Sequence, residues 1–105
     1  MDINNLVERI DEVRKNVEHE NNNLDIFEWL SDCQVFLESN HSKLEFTKQF
    51  ITEKEAFKTS IISYGAYSLV NFDSLAATVK SVKKLEDAKI EQGKKTAQFF
   101  KGLNS

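Results

Sequence analysis

The stretch INNLVERIDEVRKNV, residues 3–17, decides the fold class. Ile3, Leu6, Ile10, Val13 and Val17 recur at alternating spacings of three and four, the apolar stripe of an amphipathic helix, with Val7 beside it. Glu8, Arg9, Asp11, Glu12, Arg14 and Lys15 fill the remaining positions as the mixed charges of a solvated face. The pattern predicts a first helix over 3–19, followed by a loop at Asn21-Asn22-Asn23. The same interleaved charges rule this segment out as the apolar core of a secretion signal.

Working outward, Asp25 with Glu28 has the spacing of a capping box, so a second helix is expected to start there. Its residues Ile26, Phe27, Trp29, Leu30, Cys33, Val35, Phe36 and Leu37 cover more than half the circumference and predict a helix buried between others. Ser42 with Glu45 repeats the capping signature and places a third helix from about 43. Thr52 with Glu55 is a further capping pair, so residues 43–70 read either as one helix or, preferably, as two. Asn71-Phe72-Asp73 reads as the next boundary, and a lysine-rich last helix over 74–101 follows, with Leu75, Val79, Val82 and Leu85 as its stripe. Lys101-Gly102-Leu103 has the composition of a helix stop. The expected core draws on Leu6, Ile10, Val13, Phe27, Leu30, Cys33, Leu37, Phe50, Phe57, Ile61, Val79 and Val82.

The absence of proline and the presence of only three glycines leave no punctuation for the many turns of a sandwich or barrel. With 105 residues, 40 % hydrophobic and 30 % charged, the chain supports one core, since a second would need roughly another 50 residues. The expectation is an all-α, four- or five-helix bundle forming a single domain over 1–105. Residues 86–105 exceed what the other helices can cover, so they protrude or pack on a partner. No run reaches the length of a membrane span. The single cysteine, Cys33, cannot close an internal disulfide and reads as a buried thiol in a reducing cytoplasm. Lysine outnumbers arginine twelve to two and asparagine is frequent, the bias of an AT-rich coding sequence such as a low-GC bacterium or its phage.

Charge is unevenly divided. Residues 1–73 carry a balance of −7, and residues 74–105 a balance of +4 from Lys80, Lys83, Lys84, Lys89, Lys94, Lys95 and Lys101. Such a helix suits an acidic protein surface, in its own fold or in a second copy, or else nucleic acid. It lacks the arginine forks of base and phosphate readout, and its aromatics lie at one end instead of between the lysines.

Motifs that carry chemistry are sparse. Glu38-x-x-His41 is half of a di-iron ligand set, but no second half follows. Asp25, Glu28 and Asp32 form a carboxylate stripe, and Glu18 and Glu20 flank His19, without the glycine turn of a calcium loop. Ser60, Ser63, Tyr64, Gly65, Ala66, Tyr67 and Ser68 form a small-and-polar patch read as lying inside a helix. No phosphate-binding glycine loop, nucleophile elbow or paired-cysteine motif occurs. Arg14 and His19 make an Arg-x4-His string that resembles the catalytic motif of HEPN-family RNases. The resemblance covers six residues and implies a helical, often dimeric RNase with Arg14 and His19 at a cleft. Lys15 follows Arg14 where that family often has Asn or Asp, and the string sits on the first helix instead of a late one.

These observations point to a small non-enzymatic, cytoplasmic protein–protein interaction module without metal or cofactor, of the kind that includes antitoxins, immunity proteins and phage-encoded inhibitors of host proteins. The expected partner is a second protein or a second copy in a homodimer, with no membrane involved. The candidate interaction residues are Lys83, Lys84, Lys94, Lys95, Phe99 and Phe100. Nucleic-acid association through the lysine helix is the alternative, and the HEPN-like RNase the more remote one.

Overall fold

The computed structural model describes residues 2–103, with side chains described to residue 90. The described chain is all-α: α1 (Ile3–Glu8), α2 (Ile10–Glu18), α3 (Asn23–Asn40), α4 (Glu45–Tyr64) and α5 (Leu69–Leu103). Arg9 keeps right-handed helical torsions, and Val13 N–H still donates to the Arg9 carbonyl. α1 and α2 are therefore one rod with a local irregularity, and the bundle has four helical arms. No described helix is long and apolar enough to cross a membrane.

The N-terminal stripe is fully spent inside this bundle. Ile3, Leu6, Ile10, Val13 and Val17 are all buried against the other helices, and Asp2 caps the rod by accepting from the Asn5 N–H at 2.9 Å. The turn into α3 is tight, with Glu20 and Asn22 both in left-handed torsions. α3 starts at Asn23, two residues before the expected capping box. Asp25 does not cap it; its carboxylate accepts instead from the Asn16 side-chain amide at 2.9 Å across the turn.

α4 corrects two expectations. It begins at Glu45 after Leu44, so Ser42 is not its cap, and the Thr47 hydroxyl donates back to the His41 carbonyl. It then runs unbroken past Thr52 and Glu55. Phe50, Phe57 and Ile61 share a continuous buried face, while Thr52 and Glu55 lie exposed on the other side. A capping pair facing solvent cannot interrupt a helix whose apolar face is being buried on both sides of it.

α4 stops at Gly65, whose φ of +62° is left-handed; its N–H donates to the Ile61 carbonyl. The small-and-polar patch is thus a helix end and a connection, not a helix interior. Nothing lies within 4 Å of where a Cβ at Gly65 would stand. Gly65→Ala is therefore expected to cost about 1 kcal/mol from backbone strain alone, read as a lower urea midpoint with unchanged slope.

α5 starts at Leu69, five residues earlier than expected, with the Ser68 hydroxyl accepting from the Asn71 N–H at 3.2 Å. Asn71-Phe72-Asp73 is consequently helix and not boundary. Asn71 and Asp73 face solvent while Phe72 is fully buried, 5.3 Å from the Trp29 ring and 6.3 Å from that of Phe57. At the far end the helix continues through Gly102 to Leu103, so the expected stop at residue 101 is not where it ends.

Trp29, Phe50, Phe57 and Phe72 are the largest fully buried side chains, and Trp29 Nε1 donates to the Leu6 carbonyl at 3.0 Å. Of the expected core residues only Phe27 is not buried. It packs at the core's edge, half-covered, with Lys58 Nζ 5.4 Å from its ring centre.

Candidate functional site

α5 has 35 residues, ~52 Å at 1.5 Å per residue, against 20 for α4, the next longest. The molecule measures 65 Å along its long axis and only 25 and 21 Å across. Among the residues of α5 whose side chains are described, Phe72, Leu75, Ala76, Val79 and Val82 are buried. One turn on, the core-facing position is Glu86, whose Oε1 lies 2.7 Å from His41 Nε2 at the α3–α4 corner. Ile90, one turn further, is 58 % exposed.

Of the expected interaction residues, Lys83 is committed to an ion pair with Asp87 at 2.8 Å, and Lys84 is exposed. Lys80 and Lys89 are exposed beside them. Lys94, Lys95, Phe99 and Phe100 belong to α5 by backbone; their side chains lie outside the described residues.

The other motifs are taken up separately. Glu38 accepts from the Gln34 amide while His41 turns to Glu86, so the Glu-x-x-His pair does not converge. Asp32 pairs with Arg9 at 2.9 Å and Asp25 with Asn16, which divides the carboxylate stripe between partners. Among the described residues no three acidic, histidine or cysteine side chains converge as a metal site. Cys33 is buried, and burial drives its thiol far above the ordinary range.

Arg14 donates through Nε and Nη2 to both Asp73 oxygens at 2.8 and 3.2 Å, tying α2 to α5. His19 is the exposed residue ending α2. The Arg14 hydrogen bond holds the Asp73 carboxyl below the usual carboxylate range. A depressed carboxylate stabilises the fold above its unfolded value of about 3.9 and loses that contribution as pH falls through the folded value. The wild-type protein should therefore be slightly more heat-stable than Asp73→Asn at neutral pH, with the gap closing below the ordinary carboxylate range. The effect is small because both side chains are about half exposed.

The outward face of α3 is the feature the pattern missed. Val35, expected among the buried residues of this helix, is 60 % exposed, and Leu24, which the expected start at Asp25 left outside it, is 79 % exposed. They stand with Glu28, Ser31 and Glu38 at spacings of four and three, hence on one side, and all three are exposed. α3 contains four acidic residues and no lysine or arginine. Counting apolar residues hides this. Separating the positions opposite Trp29 and Cys33 from those beside them would have revealed it.

Comparison of the chain with protein-family models, curated proteins and solved structures yields no match.

Proposed function

We propose that this chain is a non-enzymatic protein-binding module of the cytoplasm of a bacterium or its phage, with the part of α5 beyond Glu86 as its binding element. The observation that carries the reading is the mismatch in length. α5 runs on to Leu103; among its residues with described side chains Val82 is the last buried one, and Ile90, where the core-facing stripe would continue, is exposed. A soluble helix keeps such a stripe when something packs on it. Burial of the α1–α2 stripe and of Trp29, Phe50, Phe57 and Phe72 removes the apolar face of the N-terminal rod and these four aromatics as alternative contact surfaces. The binding partner is a protein, in a homodimer or a heteromeric complex.

The test is affinity capture from the source cell's lysate with nuclease present. Wild type is compared with Lys94→Glu/Lys95→Glu and with Phe99→Ala/Phe100→Ala. A stoichiometric protein lost in both variants supports the reading. Capture of nucleic acid alone, abolished by nuclease and by the lysine changes, would replace it with nucleic-acid association. That alternative has less support, because Glu86, Asp87 and Glu91 interrupt the lysines and Lys83 is already paired. The RNase reading has less still, because both donors of the Arg14 fork that point at Asp73 are occupied. Unchanged RNA cleavage by His19→Ala would end it.

A further inference from the structure

We infer that the outward face of the C-terminal half of α4 is the contact surface for a second copy of this chain, in a two-fold dimer that lays α4 against α4. The inference is independent of the role proposed for α5, since this surface lies at the opposite end of the bundle from Glu86.

Residues 59–72 hold no charged side chain, the longest such run in a chain in which 30 % of residues are charged. The fold gathers the run at one end of the bundle, as the last turns of α4, the connection at Gly65 and the start of α5. Among the described residues, the four large hydrophobics with the highest exposure all lie at this end: Leu24 at 79 %, Ile62 at 65 %, Tyr64 at 81 % and Val70 at 80 %. Leu24 joins from α3 by register. α3 meets α4 at Gln34 with Lys54 and at Phe27 with Lys58, so the next turn brings Leu24 beside Ile62. Tyr67 Oη donates to Asn23 Oδ1 at 2.6 Å and fixes the start of α3 to the same corner. Val70 joins from α5, lining with Ala56 the shallow groove between α4 and α5. Between Ile62 and Val70 the outward positions of α4 are Ala56, Thr59 and Ser63, all small and exposed.

In a two-fold contact each residue meets its own equivalent or a near neighbour of it, so a face with net charge opposes itself. The outward faces of α2 and α3 are of that kind: exposed Asp11, Glu12 and Glu18 outnumber Lys15 on one, and Glu28 and Glu38 stand on the other. The α4 face escapes this penalty. The charged side chains at its edge are already engaged, Lys54 with Glu55, Lys58 over Phe27 and Glu53 with the Ser74 hydroxyl. Its size also suits a dimer, because the four exposed side chains alone present on the order of 600 Å², against ~800 Å² per partner in a standard interface. The small residues Ala56, Thr59 and Ser63 let two antiparallel α4 helices approach to about 8–10 Å, with Leu24, Ile62 and Val70 packing around the crossing. Since α5 runs antiparallel to α4, such a dimer sends its two α5 segments out at opposite ends.

The test is the solution mass of the full chain by light scattering and sedimentation, with circular dichroism confirming that each variant is folded. The expected mass is about twice 12.1 kDa. Ile62→Lys and Val70→Lys, at exposed positions that leave the core alone, should each weaken association about tenfold or more. Val35→Lys, at an exposed position outside the face, should change nothing. Thr59→Lys and Thr59→Glu should each dissociate the dimer, and an equimolar mixture of the two should regain it by setting opposite charges at the crossing. A monomeric wild type at about millimolar concentration overturns the inference, as does a dimer indifferent to Ile62→Lys and Val70→Lys. Failure of the Thr59 mixture to regain the dimer rules out the two-fold pairing of α4 with α4. A dimer broken by Phe99→Ala/Phe100→Ala and not by the α4 changes would place self-association on α5 and overturn the inference equally.

Discussion

Trp29→Ala is expected to lower the unfolding free energy by about 4–6 kcal/mol, counting ~3–5 for the truncated aromatic and ~1 for the Leu6 carbonyl left without its donor. Trp29 is fully buried at the meeting of α1, α3 and α5, its ring against Phe72 and its indole N–H on Leu6. A domain of this size holds on the order of 5–15 kcal/mol, so the loss is a large fraction of the whole and the urea midpoint should fall steeply. Urea unfolding followed by circular dichroism measures it. Trp29→Phe separates the two contributions: it keeps most of the apolar volume and strands the same carbonyl, so a loss of only ~1–2 kcal/mol is expected. Equal losses in the two variants would show that the hydrogen bond, not the ring, dominates.

Phe72→Ala is the second large effect, about 3–4 kcal/mol by the same measurement. It is also the sharpest test of where α5 begins. A phenylalanine in a solvent-facing break between helices would change stability by no more than about 0.5 kcal/mol on truncation. Phe72 instead fills space between Trp29 and Phe57. Because Trp29 and Phe72 share one contact, the double variant should cost less than the two singles combined, by roughly 0.5–1.5 kcal/mol.

The helical class, the first helix and most of the core were legible because apolar spacing reports burial directly. Leu6, Ile10, Val13, Val79 and Val82 sit where their periodicity places them. Boundaries were less legible, because capping residues mean different things on the two sides of a helix. Thr52 and Glu55 have cap chemistry but face water in the middle of α4. Asn71 and Asp73 look like a loop because they flank Phe72 with polar groups, although both point outward. Ser68, three residues before Asn71, held the real signal, overshadowed by the more polar cluster that follows it. The candidate binding element was legible as excess length and clustered lysine. The exposed α3 face was not, since Val35 reads as buried wherever neighbours on all sides are assumed, and Leu24 falls before the expected helix start at Asp25.

Cys33 gives the protein a built-in clock. Its sulfur is enclosed among the buried residues of α3 and its ionisation is suppressed by that burial, so thiol reagents find no thiolate to attack in the native state. Each alkylation event consequently marks an opening of the core, and no second cysteine in the chain adds background. Labelling rates at Cys33 would count excursions out of the native state directly, without denaturant and in the crowded cell as readily as in the cuvette.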